Sequence, residues 1–251
     1  MSSEKATALV LRTTDFSETS LIVTLLTREF GKVRGLAKGA RRMKGPFESA
    51  LDLLGLCRIV FLRKSSDSLD LLTEAKLERR FRPFDGKLPN LYAAYYVAEL
   101  LNELTDDYDP HPELFDAACE TLQALSKSSS VPVVLVRFEL TALRVLGHLP
   151  SFAACGECGN PVEPVGRVAF SQLAGGVLCQ QCRVGQKQVV LISAGVIKVL
   201  MRFAEAKGDA WRRIELDART HGELRAVLNH YWTHLLGHPA RMQRYLSTTM
   251  D

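Results

Sequence analysis

The sequence predicts an α+β chain: a small five-stranded barrel first, then helices, with a four-cysteine segment set into the helical part. Over roughly the first eighty positions apolar residues alternate with a period of two between polar or glycine-containing turns, as half-buried strands do. From Leu88 onward the period lengthens to three and four, the spacing of a helix face. Cys155-Gly156-Glu157-Cys158 is answered, after twenty intervening residues, by Cys179-Gln180-Gln181-Cys182.

The candidate strands are 5–13, 21–28, 32–37, 53–62 and 68–78, and five short strands in succession suggest a small barrel. In the first helix Leu88, Leu91, Tyr95, Ala98 and Leu101 share one face, which Val97, Leu100 and Leu104 widen, so this helix is expected to be buried. A second helix covers 112–125, a serine-rich joint 126–130, and a third helix 132–146, stopped by Gly147 and Pro150. Beyond the cysteines, Ser193 caps a helix running through Ala206, and Thr220 begins another that ends at Gly237 with Pro239 behind it. The expected organisation is a barrel over 1–82, a helical part over 83–150, a cysteine ribbon over 151–192 and a second helical part over 193–251.

With 251 residues, 47% hydrophobic and 24% charged, the chain has the composition of a globular protein able to bury a sizeable core. The longest apolar candidate, 51–62, is broken by Asp52 and Arg58 and falls short of the ~20 residues of a membrane span. No secretory leader is legible, and a cytoplasmic location is expected. A formal charge of +4 names no partner, so the distribution of charge has to carry that information. The chain lacks a Gly-x4-Gly-Lys-Ser/Thr loop, a Gly-x-Gly-x-x-Gly after a strand and a Gly-x-Ser-x-Gly elbow, so ATP turnover, dinucleotide chemistry and serine hydrolysis have no support.

Each Cys-x-x-Cys pair can fold into a knuckle aiming two thiolates at one metal, and Cys155, Cys158, Cys179 and Cys182 together supply the tetrahedral sulfur set that zinc prefers. Short strands at 168–171 and 177–178 around Gly175-Gly176 would return the second knuckle to the first. Disulfides or free thiols are the other reading, and a reducing compartment weighs against disulfides. Four cysteines close the coordination shell, so one Zn2+ here is expected to be structural, and in comparable peptides metal binding provides about 10–16 kcal/mol of folding free energy. Cys57 and Cys119 read as small buried hydrophobes. His230, His234 and His238 recur every four residues without a His-Glu-x-x-His pattern and read as surface histidines.

Lys32, Arg34, Lys38, Arg41, Arg42 and Lys44 fall between Gly31 and Gly45 in a window with no acid. Lys32 and Arg34 flank Val33 on the third strand and are expected on the solvent face of the barrel, with Gly35 and Gly39 keeping the following loop open as a phosphate-tracking arm. A merely solubilising basic loop is the blander alternative. Arg79, Arg80 and Arg82, interleaved with Phe81 and Phe84, form a second basic group that can grip phosphates and stack bases. The alternative makes the phenylalanines interdomain core and pairs the arginines with helix acids.

Thr27-Arg28-Glu29-Phe30-Gly31, the run Ala37-Lys38-Gly39-Ala40-Arg41-Arg42, and Leu146-Gly147-His148-Leu149-Pro150 just ahead of Cys155 together resemble the bacterial RecO family over nearly the whole chain. The arm departs from the family pattern at Met43-Lys44-Gly45-Pro46, where Lys-Ser is expected. The resemblance implies an OB-fold barrel joined to helices and a role in recombinational DNA repair without enzymatic turnover. It implies binding of single- and double-stranded DNA, annealing of complementary strands, and loading of recombinase onto DNA coated with single-strand binding protein. The implied partners are RecR and the acidic C-terminal tail of single-strand binding protein, with no membrane and no small-molecule substrate, in a nucleoid-associated setting. The rival binding class is a ribbon and barrel protein of transcription or translation acting on structured RNA. The rival enzyme class, a zinc hydrolase, conflicts with a closed four-cysteine shell.

Overall fold

The computed structural model describes residues 2–42, 45–47, 50–64, 68–127, 130–205, 208 and 210–248. The chain forms two compact units, one drawn from Met1–Ser129 with Arg241–Asp251 and the other from Ser130–Ala240.

In the first unit, β1 (Ser2–Asp15), β2 (Leu21–Thr27), β3 (Gly31–Ala37), β4 (Leu56–Arg63) and β5 (Asp70–Arg79) close into a barrel in the order β1-β2-β3-β5-β4. β4 pairs back onto β1 from Ser2↔Arg63 to Leu9↔Leu56, and β3 meets β5 in parallel, so this is the five-stranded OB-fold topology. Alternation drives the closure. On β3, Gly31, Val33, Gly35 and Ala37 are buried while Arg34 is exposed, and Val33 joins Ala8, Leu25, Ile59 and Phe61 in the core. The sequence places the start of β4 at 53, but Leu54 takes a left-handed φ of 65° and the Gly55 amide closes a turn onto Asp52, so pairing begins at Leu56.

Helices α1 (Leu88–Leu104) and α2 (Pro112–Leu125) follow, each with proline in its first turn. Ala93, Ala94, Tyr96, Val97, Leu100 and Leu101 are buried, so α1 is apolar around much of its circumference, as its widened stripe predicts. Between the two helices, 105–109 lies against β3: the Tyr108 amide donates to the Lys32 carbonyl, and a Cβ on Gly31 (φ 72°) would sit 2.2 Å from the Asp109 carbonyl oxygen. Only glycine allows that approach. A short α6 (Gln243–Thr248), absent from the sequence reading, returns to this unit because the Glu99 carboxylate accepts the amides of Arg241 and Met242 at 2.7 and 2.8 Å.

The second unit holds α3 (Val131–Val145), a three-stranded sheet of β6 (Arg167–Ser171), β7 (Gly176–Leu178) and β8 (Val189–Ser193) in the order β7-β6-β8, then α4 (Ala194–Glu205) and α5 (Ala218–Leu236). Ser193 does cap α4, its hydroxyl accepting the Val196 amide at 3.4 Å, and Glu223 anchors that serine through its amide and hydroxyl. α5 starts two residues ahead of the sequence-based boundary because Asp217, not Thr220, is its cap, accepting the Thr220 amide at 2.9 Å. Gly237, at φ 77°, ends it. Fully buried Glu139 on α3 is matched by Arg225 on α5 in a two-pronged pair at 2.6 and 2.9 Å, which compensates the buried charge. No described helix is long and apolar enough to cross a membrane.

Candidate metal centre and nucleic-acid interface

The two cysteine knuckles are brought together by backbone pairing. The Val177 amide donates to Ser151, the Gly156 amide donates to Val177, and β7 lies beside β6, so the strand entering Cys179 passes directly over the first knuckle. A Cβ on Gly156 would come within 2.0 Å of the Ala174 carbonyl oxygen, which is why the first Cys-x-x-Cys carries glycine at that position. The Sγ atoms of Cys155, Cys158, Cys179 and Cys182 all lie within 4.8 Å of one another and can hold a metal ion.

Their protonation follows the local dipoles. Burial alone raises the Cys155 thiol, but the amides of Cys158, Cys179 and Glu157 aimed at its sulfur outweigh this and bring it down to about 6. The Cys182 amide, 3.4 Å from Cys179 Sγ, likewise lowers Cys179. Cys182 is pushed up to about 12, first because its thiol donates to the sulfurs of Cys179 and Cys158. Cys155 and Cys179 are thus favoured as thiolates, the form in which cysteine binds a metal. Elsewhere, burial pushes Cys57 up to about 12 and Cys119 to about 11, in keeping with inert packed thiols, while His230, His234 and His238 are all exposed.

On the barrel, residues paired across strands share a face. Arg12 pairs with Thr24 and Thr24 with Arg34, placing the two exposed arginines in one row; Thr14, Ile22 and Leu36 form the next. Lys38, Arg41 and Arg42 follow from the end of β3, all exposed. Their loop is tied to the β1–β2 loop: the Arg41 amide donates to Thr19 at 3.0 Å, the Gly39 amide to the Ser20 hydroxyl at 3.4 Å, and Arg41 Nη1 meets Asp15 at 3.1 Å. Lys44 lies outside the described residues.

Lys32 corrects the sequence reading. It does not stand on the open face beside Arg34; its half-buried ammonium donates to the backbone carbonyls of Asn102, at 3.0 Å, and Thr105. Those carbonyls end α1, where a cation complements the helix dipole, so Lys32 is a structural cap. Arg12, which the sequence reading passed over, takes its place in the exposed row, and only the strand register identifies it.

Arg79, Arg80 and Arg82 are exposed, with Arg80 held by Asp52 at 3.0 Å. Phe81 is half-buried and lines, with these arginines, Leu9, Cys119 and Leu122, a cavity of about 240 Å³ between the barrel and α2. The packing role proposed for the ring therefore holds in part, while the guanidinium groups remain at the surface.

Comparison with known proteins agrees with this architecture. Residues 1–81 match the family model described as recombination protein O N terminal, and residues 86–244 match recombination protein O C terminal. The chain is 41% identical to the DNA repair protein RecO of Rhodopirellula baltica, covering 97% of this chain and 99% of that one. It is 37% identical to that of Anaeromyxobacter dehalogenans (96% and 95%) and 34% identical to that of Myxococcus xanthus (92% and 91%). Barrel, cysteine cluster and full-length similarity converge: the chain belongs to the RecO family of DNA repair proteins.

Proposed function

We propose that this chain is a non-enzymatic mediator of recombinational repair, which binds single- and double-stranded DNA, anneals complementary strands and assists recombinase loading onto DNA coated with single-strand binding protein. RecR and the acidic tail of single-strand binding protein are its proposed partners, carried over from the family resemblance. The observation that supports DNA binding is the exposed set Arg12 on β1, Arg34 on β3, and Lys38, Arg41 and Arg42 in the loop after β3, which together border the β2–β3 surface OB barrels use for oligonucleotides.

Annealing needs no fuel. Once two complementary strands are neutralised and adjacent, stacking provides roughly 1.4 kcal/mol per step, and repulsion between the backbones is the obstacle. The barrel face holds one strand; Arg79, Arg80 and Arg82, or a second molecule, hold the complement. The proposed metal is one Zn2+ in a structural role: tetrahedral Zn–S bonds of about 2.3 Å set sulfurs about 3.8 Å apart, and Cys158 and Cys179 Sγ lie at 3.9 Å. When bound, the ion holds both knuckles together and, with four sulfur ligands, offers no position for water.

Annealing of labelled complementary oligonucleotides tests this. The rate is expected to exceed that of buffer without nucleotide and to fall as salt rises, with log affinity for single-stranded DNA changing against log salt by about −3.5 for five phosphate contacts. A protein that anneals no faster than buffer, or requires ATP, overturns the mechanism; preference for duplex RNA over single-stranded DNA would move the chain to the RNA-binding class.

A further inference from the structure

Phe16 is the first residue beyond β1, and its side chain is 59% exposed. A lone exposed phenylalanine needs no explanation by itself. This one stands in a hairpin whose backbone is tied to the basic loop after β3. Its own amide and that of Ser17 donate to the Ser20 carbonyl at 3.1 and 3.3 Å, closing the β1–β2 loop, and beyond the exposed Glu18 the Thr19 carbonyl and Ser20 hydroxyl receive the amides of Arg41 and Gly39 from the basic loop. The preceding residue, Asp15, is held by Arg41. Beside it lies the row Thr14, Ile22 and Leu36, with Ile22 and Leu36 half-buried, a modestly apolar floor leading to Arg12 and Arg34.

We infer that Phe16 is a base-stacking platform, taking a nucleobase of a single-stranded nucleic acid whose phosphates run over Lys38, Arg41 and Arg42. The inference rests on the DNA-binding reading of the barrel and assigns it a residue of a different chemistry. Basic side chains track the backbone and an aromatic face takes the base, because every base has a π-face whatever its sequence. Fixing the loop by four hydrogen bonds places the ring before the strand arrives, which lowers the ordering cost of binding. A protein ligand could also cover an exposed ring, but the basic loop tied to this hairpin, with exposed Lys38, Arg41 and Arg42 against exposed Asp15 and Glu18, and the OB position favour a polyanion carrying flat bases.

The test compares Phe16→Leu and Phe16→Trp in the full-length, metal-loaded protein, with thermal melting to confirm folding. The probes are oligothymidylate, a chain of the same length made of abasic deoxyribose phosphates, and duplex DNA. Phe16→Leu is expected to weaken oligothymidylate binding about 5- to 150-fold, the range of one lost stacking contact, with the salt slope unchanged because no phosphate contact is removed. Phe16→Trp should restore binding, and neither change should affect the abasic chain or the duplex. Leucine that binds oligothymidylate as phenylalanine does overturns the inference, and so does an equal loss on the abasic chain or a shallower salt slope. If Arg41→Gln and Arg42→Gln flatten the slope while Phe16→Leu does nothing, Phe16 alone is misassigned; if none of the three changes matters, the DNA-binding reading of this face fails with it.

Discussion

The barrel and the cysteine ribbon are both small β structures, held by different forces. All five barrel strands contribute to one cluster that includes Ala8, Val10, Leu25, Val33, Ile59, Phe61 and Leu72, each at most 2% exposed. In the ribbon the cluster on the cysteine side has only Cys155, Ala169 and Leu178 inside, Val168, Phe170, Val177 and Ile192 are buried in addition, and Val165, Leu173, Val184 and Leu191 stand in solvent. Apolar burial at about 25 cal/mol per Å² can close the first. On the cysteine side of the ribbon there is little of it, and there the proposed sulfur–metal bonds would take its place. A β segment can thus be specified by alternation or by ligand spacing, and the two specifications fail under different insults.

The largest expected effect follows directly. Chelation, or Cys155→Ser, removes a coupling of about 10–16 kcal/mol from the ribbon and nothing from the barrel. Amide exchange should accelerate sharply across 152–182 and stay unchanged in β1–β5. Equal acceleration in both would show that the metal supports the whole chain, and no acceleration after verified metal loss would remove its structural role.

The reciprocal perturbation is smaller. Phe61 is fully buried and meets Phe30 edge-on with ring centroids 5.6 Å apart. Phe61→Ala should cost about 3–5 kcal/mol, lowering the melting temperature of the barrel while metal stoichiometry stays constant. Loss of metal in this variant would break the separation between the two regions.

The same contrast explains what the sequence made legible. Period-2 alternation located all five barrel strands, and the Gly175-Gly176 turn between short apolar runs located the ribbon strands β6 and β7, because both signals are local. β8 escaped: Val189-Val190-Leu191-Ile192 is a short apolar run whose partner is β6, and nothing near it in sequence separates a strand from the start of a helix. α6 escaped because its anchor, Glu99, lies more than a hundred residues away. Lys32 was assigned to solvent because alternation tells which face a residue is on and not what covers that face; here 105–109 covers it. Arg12 and Phe16 became visible only when the register and the loop-to-loop hydrogen bonds were known.

The smallest expected effect on stability is also the most specific to the barrel face. Arg41 and Asp15 are both solvent-exposed, with side chains 44% and 71% accessible, and pairs of this kind contribute only about 0.2–1 kcal/mol. Asp15→Asn should therefore leave melting and metal content almost untouched. It should nevertheless strengthen binding to single-stranded DNA, because the carboxylate competes with phosphate for the Arg41 guanidinium and adds a negative charge beside the path of the backbone. Freeing one cation for phosphate contact can steepen the plot of log affinity against log salt by up to about 0.7. Arg41→Gln should make the slope shallower by whatever share of that contact the wild-type guanidinium already makes, so the two shifts together amount to about 0.7, and in that background Asp15→Asn should lose the slope change while retaining only the weaker, long-range gain of removing a like charge. If Asp15→Asn leaves the slope where it was, Arg41 already reaches phosphate past its acid, or no strand passes there; the Arg41→Gln slope decides between the two, since only in the first case does it become shallower.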